Sequence, residues 1–281
     1  KRSARDVNAY RLRNTCLLKK AAVKSGLFFF SFYQLKGNSV MRFALGIDFD
    51  GSNYRGWQTQ QEGVPSVQLM LVTALSQIAD HPVDVHAAGR TDAGVHASGM
   101  VAHFDTDAIR GLRSWLLGTN RLLPSDIAVR WIQPVSDDFH ARFKAVARRY
   151  RYVIFNSPQR SSMLAGKVTW HYHALDVERM KSAAQYLVGV HDFTSFRAVG
   201  CQARNPVRDV HFLNVTQSGS LIILDIQADG FLHHMVRNIA GVLMAIGQGK
   251  AEPEWVKTIL LARDRTKGGV TASGDGLYFV D

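Results

Sequence analysis

The chain has 281 residues and is 46% hydrophobic, so it is long enough to bury the cores of two globular domains or one large one. Its two cysteines, Cys16 and Cys201, are too few for a disulfide framework and suit a reducing cytoplasm. The longest apolar run, Leu27–Tyr33, is far shorter than the roughly 20 residues that a membrane span needs. A formal net charge of +11 favours a polyanionic partner.

Residues 1–40 differ in charge from the rest of the chain. They hold nine lysines and arginines against one acid, a net charge of +8, so the remaining residues carry only +3. Such an acid-poor segment is typical of an organelle targeting peptide or of a basic RNA-binding arm. We favour a third interpretation, a poorly ordered upstream extension that precedes a true start at Met41, because a strand pattern begins two residues later.

Residues 41–145 predict a first α+β domain. Alternating apolar and polar residues indicate strands with one buried face at 43–49, 83–87, 100–106 and 127–131. Helical spacing of apolar residues occurs at 66–78 and 110–117. The resulting order, β-α-β-β-α-β, is the ferredoxin-like arrangement. In the last strand we expect Ile127, Val129 and Trp131 to share one face.

Residues 146–281 predict a second α+β domain, with a ligand-binding cleft where the two halves meet. Strands are expected at 150–155, 207–216, 221–228 and 276–280, and helices at 176–187, 232–246 and 253–261. In the first of these strands Arg149 and Arg151 share one face, and Tyr150 and Tyr152 share the other. A basic and aromatic strand suits RNA binding, and the alternative is a solvated basic face over a tyrosine core.

The loop at residues 86–99 carries one acidic side chain, Asp92, two positions after Arg90. Three glycines are spaced through the loop and permit backbone conformations that other residues avoid. An arginine beside an aspartate favours the ionised carboxylate, and loops held between strands often carry catalytic groups. The alternative is a hairpin loop in which Asp92 binds its own backbone and Arg90 is solvated.

The eleven histidines raise the question of a metal site. The alternate pair His171 and His173 and the adjacent pair His233 and His234 lack the HExxH spacing and have no partnering pair of cysteines, so we predict structural histidines and no metal. The sequence contains no Walker loop, no GxGxxG that opens a helix and no GxSxG elbow. We therefore predict no nucleotide cofactor.

The string GRTDAGVHA around Asp92 resembles the signature of the bacterial tRNA pseudouridine synthase A (TruA) family. Further motifs follow in the family's order, so the resemblance runs from about Phe43 to Val280. These motifs are DGSNYRGWQ at 50–58, DFHAR at 138–142, RYRY at 149–152, DFTSF at 192–196, HHMVRN at 233–238 and GLY at 276–278. The resemblance implies two ferredoxin-like halves with mainly antiparallel sheets.

The resemblance also implies an activity. The family isomerises uridine to pseudouridine at positions 38–40 in the anticodon arm of tRNAs, as a homodimer, without a cofactor and without a membrane, in the cytoplasm. By this resemblance Asp92 is the catalytic carboxylate, and Arg90 holds a phosphate or pairs with Asp92. Tyr150 stacks on the uracil and acts as a base on C5, and Leu277 forms an apolar wall of the pocket. The remaining candidate RNA-binding residues are Arg55, Arg142, Arg149 and Arg237.

Two other classes of function compete with this interpretation. A non-catalytic RNA-binding module on the same scaffold is the main alternative, and the presence of Asp92 argues against it. A hydrolase of a nucleoside or sugar usually needs a pair of acids. Only Asp84 and Asp105 lie near Asp92 in the sequence.

Overall fold

Ten strands pair into one continuous sheet in the computed structural model, which describes residues 40–281. The strands are β1 (Met41–Phe49), β2 (His86–Ala87), β3 (His96–Thr106), β4 (Ile127–Val135), β5 (Arg148–Asn156), β6 (Thr169–His171), β7 (Gly189–Asp192), β8 (Val207–Ser218), β9 (Leu221–Ala228) and β10 (Leu277–Phe279). Within the same residues the α-helices are α1 (Val67–Ala79), α2 (Leu112–Leu122), α3 (Val177–Gln185), α4 (Met235–Gly247) and α5 (Trp255–Ala262). The expectations for residues 1–39 lie outside this part of the chain.

The sheet contains the ferredoxin-like strand order twice. In the first half the order is β4-β1-β3-β2, and in the second it is β10-β5-β9-β8, so each half places its fourth strand beside its first and its third beside its second. The predicted mixed fold with mainly antiparallel pairing is therefore confirmed. The division at 145/146 falls between β4 and β5, and it stays a proposal that rests on this repeat.

The C-terminal strand joins the two halves. Tyr278 and Phe279 of β10 pair in parallel with His96 and Ala97 of β3, and β10 pairs antiparallel with β5 on its other side. At Gly99 of β3, a Cβ atom would lie 2.1 Å from the main-chain oxygen of Val280. A glycine is required here because the chain leaving β10 passes directly over the backbone of β3.

Strand β2 is shorter than the alternation of residues 83–87 predicts. Val83 and Val85 are buried, at 3% and 1% exposure, but they do not belong to the strand. The Val83 N–H donates to Ser76 Oγ at 2.9 Å, and the Val85 carbonyl accepts from Gln68 Nε2 at 3.0 Å. Side chains of helix α1 thus satisfy backbone groups that the alternation suggests would pair within the sheet.

The prediction that Trp131 shares a face with Ile127 and Val129 is wrong. The register between β1 and β4 shifts between Gly46 and Ile47, so that Arg130 is an extra residue in β4. Such a bulge moves the following side chains to the opposite face. Trp131 is 40% exposed, whereas Ile132 is buried.

A polar cluster links the two halves beside β10. The Asp50 carboxylate contacts the Lys167 ammonium, and Oδ1 of Asp50 lies 3.1 Å from His96 Nδ1. The His96 ring stacks on Tyr278 with centroids 4.6 Å apart, and the Tyr278 hydroxyl donates to the Lys167 carbonyl at 2.6 Å. Burial opposes ionisation of Asp50, but hydrogen bonds from Lys167 and Ser52 outweigh it and lower the pKa of Asp50 to about 2.

The close passage over Gly99 predicts a stability effect. Replacing Gly99 with Ala should lower the free energy of unfolding by roughly 1–3 kcal/mol, the usual cost of overpacking, because the new methyl group displaces the chain after β10. Urea unfolding followed by circular dichroism measures this change. The control Gly230→Ala, where the nearest atom is Nε of Arg208 at 3.5 Å, should stay within about 0.5 kcal/mol of the wild type. Equal stabilities of the two variants would contradict the prediction.

The Asp50 cluster predicts a specific acid sensitivity. Since the pKa of Asp50 is lowered in the folded state, its contribution is complete above the unfolded value of about 3.9 and is lost as the pH falls towards 2. Between those pH values the wild type should lose roughly 1–2 kcal/mol more stability than Asp50→Asn, after discounting for solvent screening. Unfolding curves at a series of pH values test this, and parallel losses in both proteins would refute it.

Candidate active site

A cavity of about 1030 Å³ lies between the two halves, beside β10. This volume is at the upper end of the range for small-molecule pockets and accommodates a nucleotide. The lining is basic, since it contains six arginines and two aspartates. These charged residues are Arg55, Arg90, Arg142, Arg148, Arg208, Arg237, Asp92 and Asp229. The predicted cleft between the halves is therefore present, with the Asp92 loop in its wall.

The DGSNYRGWQ segment packs against the loop that carries Asp92 and fixes its backbone. The Trp57 N–H donates to the Thr91 carbonyl at 3.0 Å. Gly56 has a φ of +103°, and a Cβ atom there would lie 2.6 Å from the same carbonyl. Trp57 is only 2% exposed and lies against Phe49, so it belongs to the core and is not a base-stacking residue. These contacts hold the backbone next to Asp92 in one position.

Three cationic or ring nitrogens surround the Asp92 carboxylate. His233 Nε2 lies 3.3 Å from Oδ1, His234 Nε2 lies 3.3 Å from Oδ2, and Arg237 Nη1 donates to Oδ2 at 3.4 Å. Nε of Arg237 also donates to the Ala272 carbonyl at 2.8 Å, which orients its guanidinium. The carboxylate is 27% exposed, so it remains accessible from the cavity.

The two histidines converge because of an unusual backbone conformation. His234 has φ 61° and ψ 7°, a left-handed conformation that a residue other than glycine seldom adopts, and helix α4 begins at the next residue. The rings of His233 and His234 lie with centroids 4.0 Å apart. Burial lowers the pKa of His234 although the charge of Asp92 opposes this, so its imidazole is neutral at pH 7.

The structure places Arg237, rather than Arg90, beside Asp92. Arg90 is exposed at the cavity wall, where it remains available to a phosphate, and the sequence alternative in which it pairs with Asp92 is not found among residues 40–281. Sequence reasoning assigned Arg237 only to RNA binding and treated His233 and His234 as structural. The HHMVRN motif was the available signal, but nothing in its spacing shows that it meets a loop more than 140 positions away.

Tyr150 is held by aromatic edges under the cavity. Its ring makes edge contacts with Phe231 and Phe279, with centroids 5.1 Å apart in both cases. Leu277 lines the same cavity and is 5% exposed. Burial, with a further contribution from the charge of Asp92, raises the pKa of Tyr150. Its hydroxyl is therefore protonated at neutral pH.

The predicted RNA-binding arginines separate into two groups. Arg55 and Arg142 are exposed side chains of the cavity wall. Arg149 points to the other face of β5, where its Nε donates to Asp225 at 2.7 Å and its guanidinium lies over Phe212. Alternation along the strand already placed Arg149 opposite Tyr150, so the arginine on the cavity side had to be at an even position.

That arginine is Arg148, which sequence reasoning did not select. It donates to three main-chain oxygens, those of Ala88 at 3.0 Å, Asp229 at 3.2 Å and Arg142 at 2.9 Å. One guanidinium thus connects the start of the loop that carries Asp92, the turn after β9 and the Arg142 segment. Burial lowers the pKa of Arg148, but a guanidinium remains charged at any physiological pH.

Among the described residues, one group of side chains is suited to bind a metal ion. The ligand atoms of Asp92, His233 and His234 all lie within 4.8 Å of one another. In the same part of the chain no helix has the length and apolarity to cross a bilayer.

Comparison with known proteins identifies the family. The family described as tRNA pseudouridine synthase matches residues 47–144 and 183–281. tRNA pseudouridine synthase A of Pseudomonas aeruginosa is 59% identical over 241 residues, which cover 86% of this chain and 85% of that protein. The protein of the same name from Acinetobacter baylyi is 56% identical over 86% of this chain and 89% of that protein. The one from Alcanivorax borkumensis is 54% identical over 86% and 91%, respectively.

Among solved structures, one titled as an unknown protein from Galdieria sulphuraria aligns with a TM-score of 0.21 and 10% identity over 68% of this chain and 82% of that chain, which is too low to support an argument. The family match and the identities of 54–59% agree with the motifs around Asp92. The chain belongs to the tRNA pseudouridine synthase family, whose members are isomerases that act on tRNA.

Proposed function

We propose that this protein converts uridine to pseudouridine at positions 38–40 in the anticodon arm of tRNAs, with Asp92 as its essential carboxylate. The observation that carries the proposal is the position of Asp92, which an arginine and two histidines hold inside a cavity with six arginines. Arginines that line a cavity favour the phosphates of an RNA strand. The carboxylate then lies where a uridine drawn into the cavity would meet it.

The reaction requires only groups that the chain itself supplies. The bond between uracil N1 and ribose C1′ breaks, C5 bonds to the same carbon, C5 loses a proton and N1 gains one. Asp92 has three routes: attack on C1′, removal of a ribose proton to give a glycal, or addition to the uracil ring. Each route uses an ionised carboxylate oxygen. Arg237 fixes Oδ2 from one side, so that the carboxylate has one orientation when the nucleotide arrives.

Tyr150 and Leu277 form the part of the pocket that receives the uracil. Leu277 contributes an apolar wall, and the Tyr150 ring contributes a flat surface for stacking. The stacking role of Tyr150 is the one on which this proposal relies, and its role as a base on C5 stays a prediction.

Phosphate binding falls to the exposed arginines of the cavity wall. We assign Arg55, Arg90 and Arg142 to the RNA backbone because all three combine exposure with a place in the lining. Arg149 is not assigned, because Asp225 already neutralises it on the opposite face. Function as a homodimer in the cytoplasm belongs to the proposal too, and light scattering with and without tRNA tests the dimer.

The role of Asp92 predicts a complete loss of activity on substitution. Pseudouridine in an unmodified tRNA transcript is mapped by carbodiimide labelling and primer extension. The wild type should give new stops in the anticodon arm, and Asp92→Asn should lower the rate by at least about 10³-fold, as expected for loss of a catalytic group. The control Asp84→Asn, an exposed carboxylate near it in sequence, should keep the wild-type rate.

The outcomes of this experiment separate the alternatives. If Asp92→Asn forms pseudouridine at the wild-type rate, the catalytic role of Asp92 is refuted. No stops with the wild type, but retained tRNA binding, would favour the non-catalytic RNA-binding module.

The contacts of Arg148 predict that its substitution weakens tRNA binding, although Arg148 does not contact the catalytic carboxylate. Arg148→Lys cannot reach three main-chain oxygens at once, so the Arg142 segment should lose its fixed position. We expect tRNA affinity to fall roughly 10-fold, the equivalent of one charge-assisted hydrogen bond. Filter binding measures it, with Arg151→Lys on the outer face as the matched control. If both variants bind alike, Arg148 does not organise the cavity wall.

A further inference from the structure

The ligand atoms of Asp92, His233 and His234 all lie within 4.8 Å of one another, close enough together to hold one metal ion. With metal–ligand bonds of about 2.0–2.1 Å, two ligand atoms of a tetrahedral zinc site lie roughly 3.3–3.4 Å apart. Nε2 of His233 lies 3.3 Å from Oδ1 of Asp92, and Nε2 of His234 lies 3.3 Å from Oδ2. Two imidazoles and one carboxylate thus converge on one small volume.

The backbone is strained in a way that produces this convergence. Neighbouring residues in an extended chain direct their side chains to opposite sides. The left-handed conformation of His234 instead brings its ring beside that of His233. For a residue with a Cβ this conformation costs roughly 1–2 kcal/mol. A strained residue at a functional site persists only where its surroundings hold it.

We propose that Asp92, His233 and His234 bind a divalent transition-metal ion of the zinc type, and that the bound ion inhibits the synthase reversibly by occupying the catalytic carboxylate. The proposed metal binding rests only on the positions of these three side chains. The inhibition half rests on the proposed role of Asp92. A ligand set of two nitrogens and one carboxylate oxygen selects Zn²⁺ or Co²⁺ over Mg²⁺, which prefers oxygen ligands in an octahedron.

The surroundings of the site set its strength. His233 is 46% exposed, so its side of the cluster opens to the cavity and leaves room for water as a fourth ligand. Arg237 already binds Oδ2, and the other arginines of the lining repel a cation. Affinity should therefore be weaker than in a structural zinc site.

Direct binding is measured on the full chain in the absence of tRNA. Calorimetry with Zn²⁺ and the visible absorption of Co²⁺ report stoichiometry and tetrahedral geometry. We expect one ion per chain, and at least about tenfold weaker binding in His233→Gln and in His234→Asn. Asparagine tolerates the left-handed conformation, so His234→Asn removes the imidazole and keeps the backbone. The control is His211→Ala, a remote exposed histidine of β8.

Inhibition is measured by pseudouridine mapping with Zn²⁺ added, each protein being compared with its own rate without Zn²⁺. The wild type and His211→Ala should slow and recover when EDTA is added, whereas His233→Gln should be less sensitive. Equal affinity in His234→Asn and the wild type, or no saturable binding, would overturn the site. Saturable binding with an unchanged rate would overturn the inhibition. A wild type that binds Zn²⁺ but forms no pseudouridine without metal would refute the proposed function and leave the site standing.

Discussion

The pairing of β10 with both β3 and β5 is the constraint on which the rest of the structure depends. A strand of only three residues turns two ferredoxin-like halves into one sheet. The first residue of that strand, Leu277, is a wall of the cavity, and the last, Phe279, supports the Tyr150 ring. The strand that holds the halves together therefore also positions the apolar side of the active site.

In this protein the positions of the charged side chains matter more than the net charge. Most of the formal charge of +11 belongs to residues 1–40, and the part of the chain that holds the site carries a small surplus. That part places six arginines around one cavity. Other arginines are neutralised elsewhere: Asp225 pairs with Arg149, and Asp105 pairs with Arg42. A net charge alone could not have located the RNA-binding surface.

The sequence predicted the fold to the extent that apolar periodicity reports burial. It identified the strands and helices that form the ferredoxin-like order of both halves, including the hairpin of β8 and β9, but it missed β6 and β7. It failed where buried residues do not form the hydrogen bonds of a strand. Val83 and Val85 are such residues, because their backbone groups bind side chains of α1. It also failed at the bulge before Trp131, because one extra residue inverts the alternation without changing composition.

The candidate site was predictable one segment at a time, and its assembly was not. The nine-residue motif GRTDAGVHA was enough to select Asp92. The partners of Asp92 come from the start of α4. Their approach depends on a positive φ at His234, and a histidine in the sequence gives no indication of a positive φ. The choice between Arg148 and Arg149 needed only the period of a strand, because Arg148 shares a face of β5 with Tyr150 and Arg149 does not.

Fusion of the two halves into one sheet has a consequence for solubility. Joining the halves through β10 removes two strand edges that separate sheets would leave open to other chains. The main path of the sheet ends at β4 and β7, and the short strands β2 and β6 each pair on one side only. Strand β4 carries a bulge at Arg130 and a proline at position 134, and β7 is four residues long. Each of these features discourages edge-to-edge association, so the fold protects itself against aggregation at its ends.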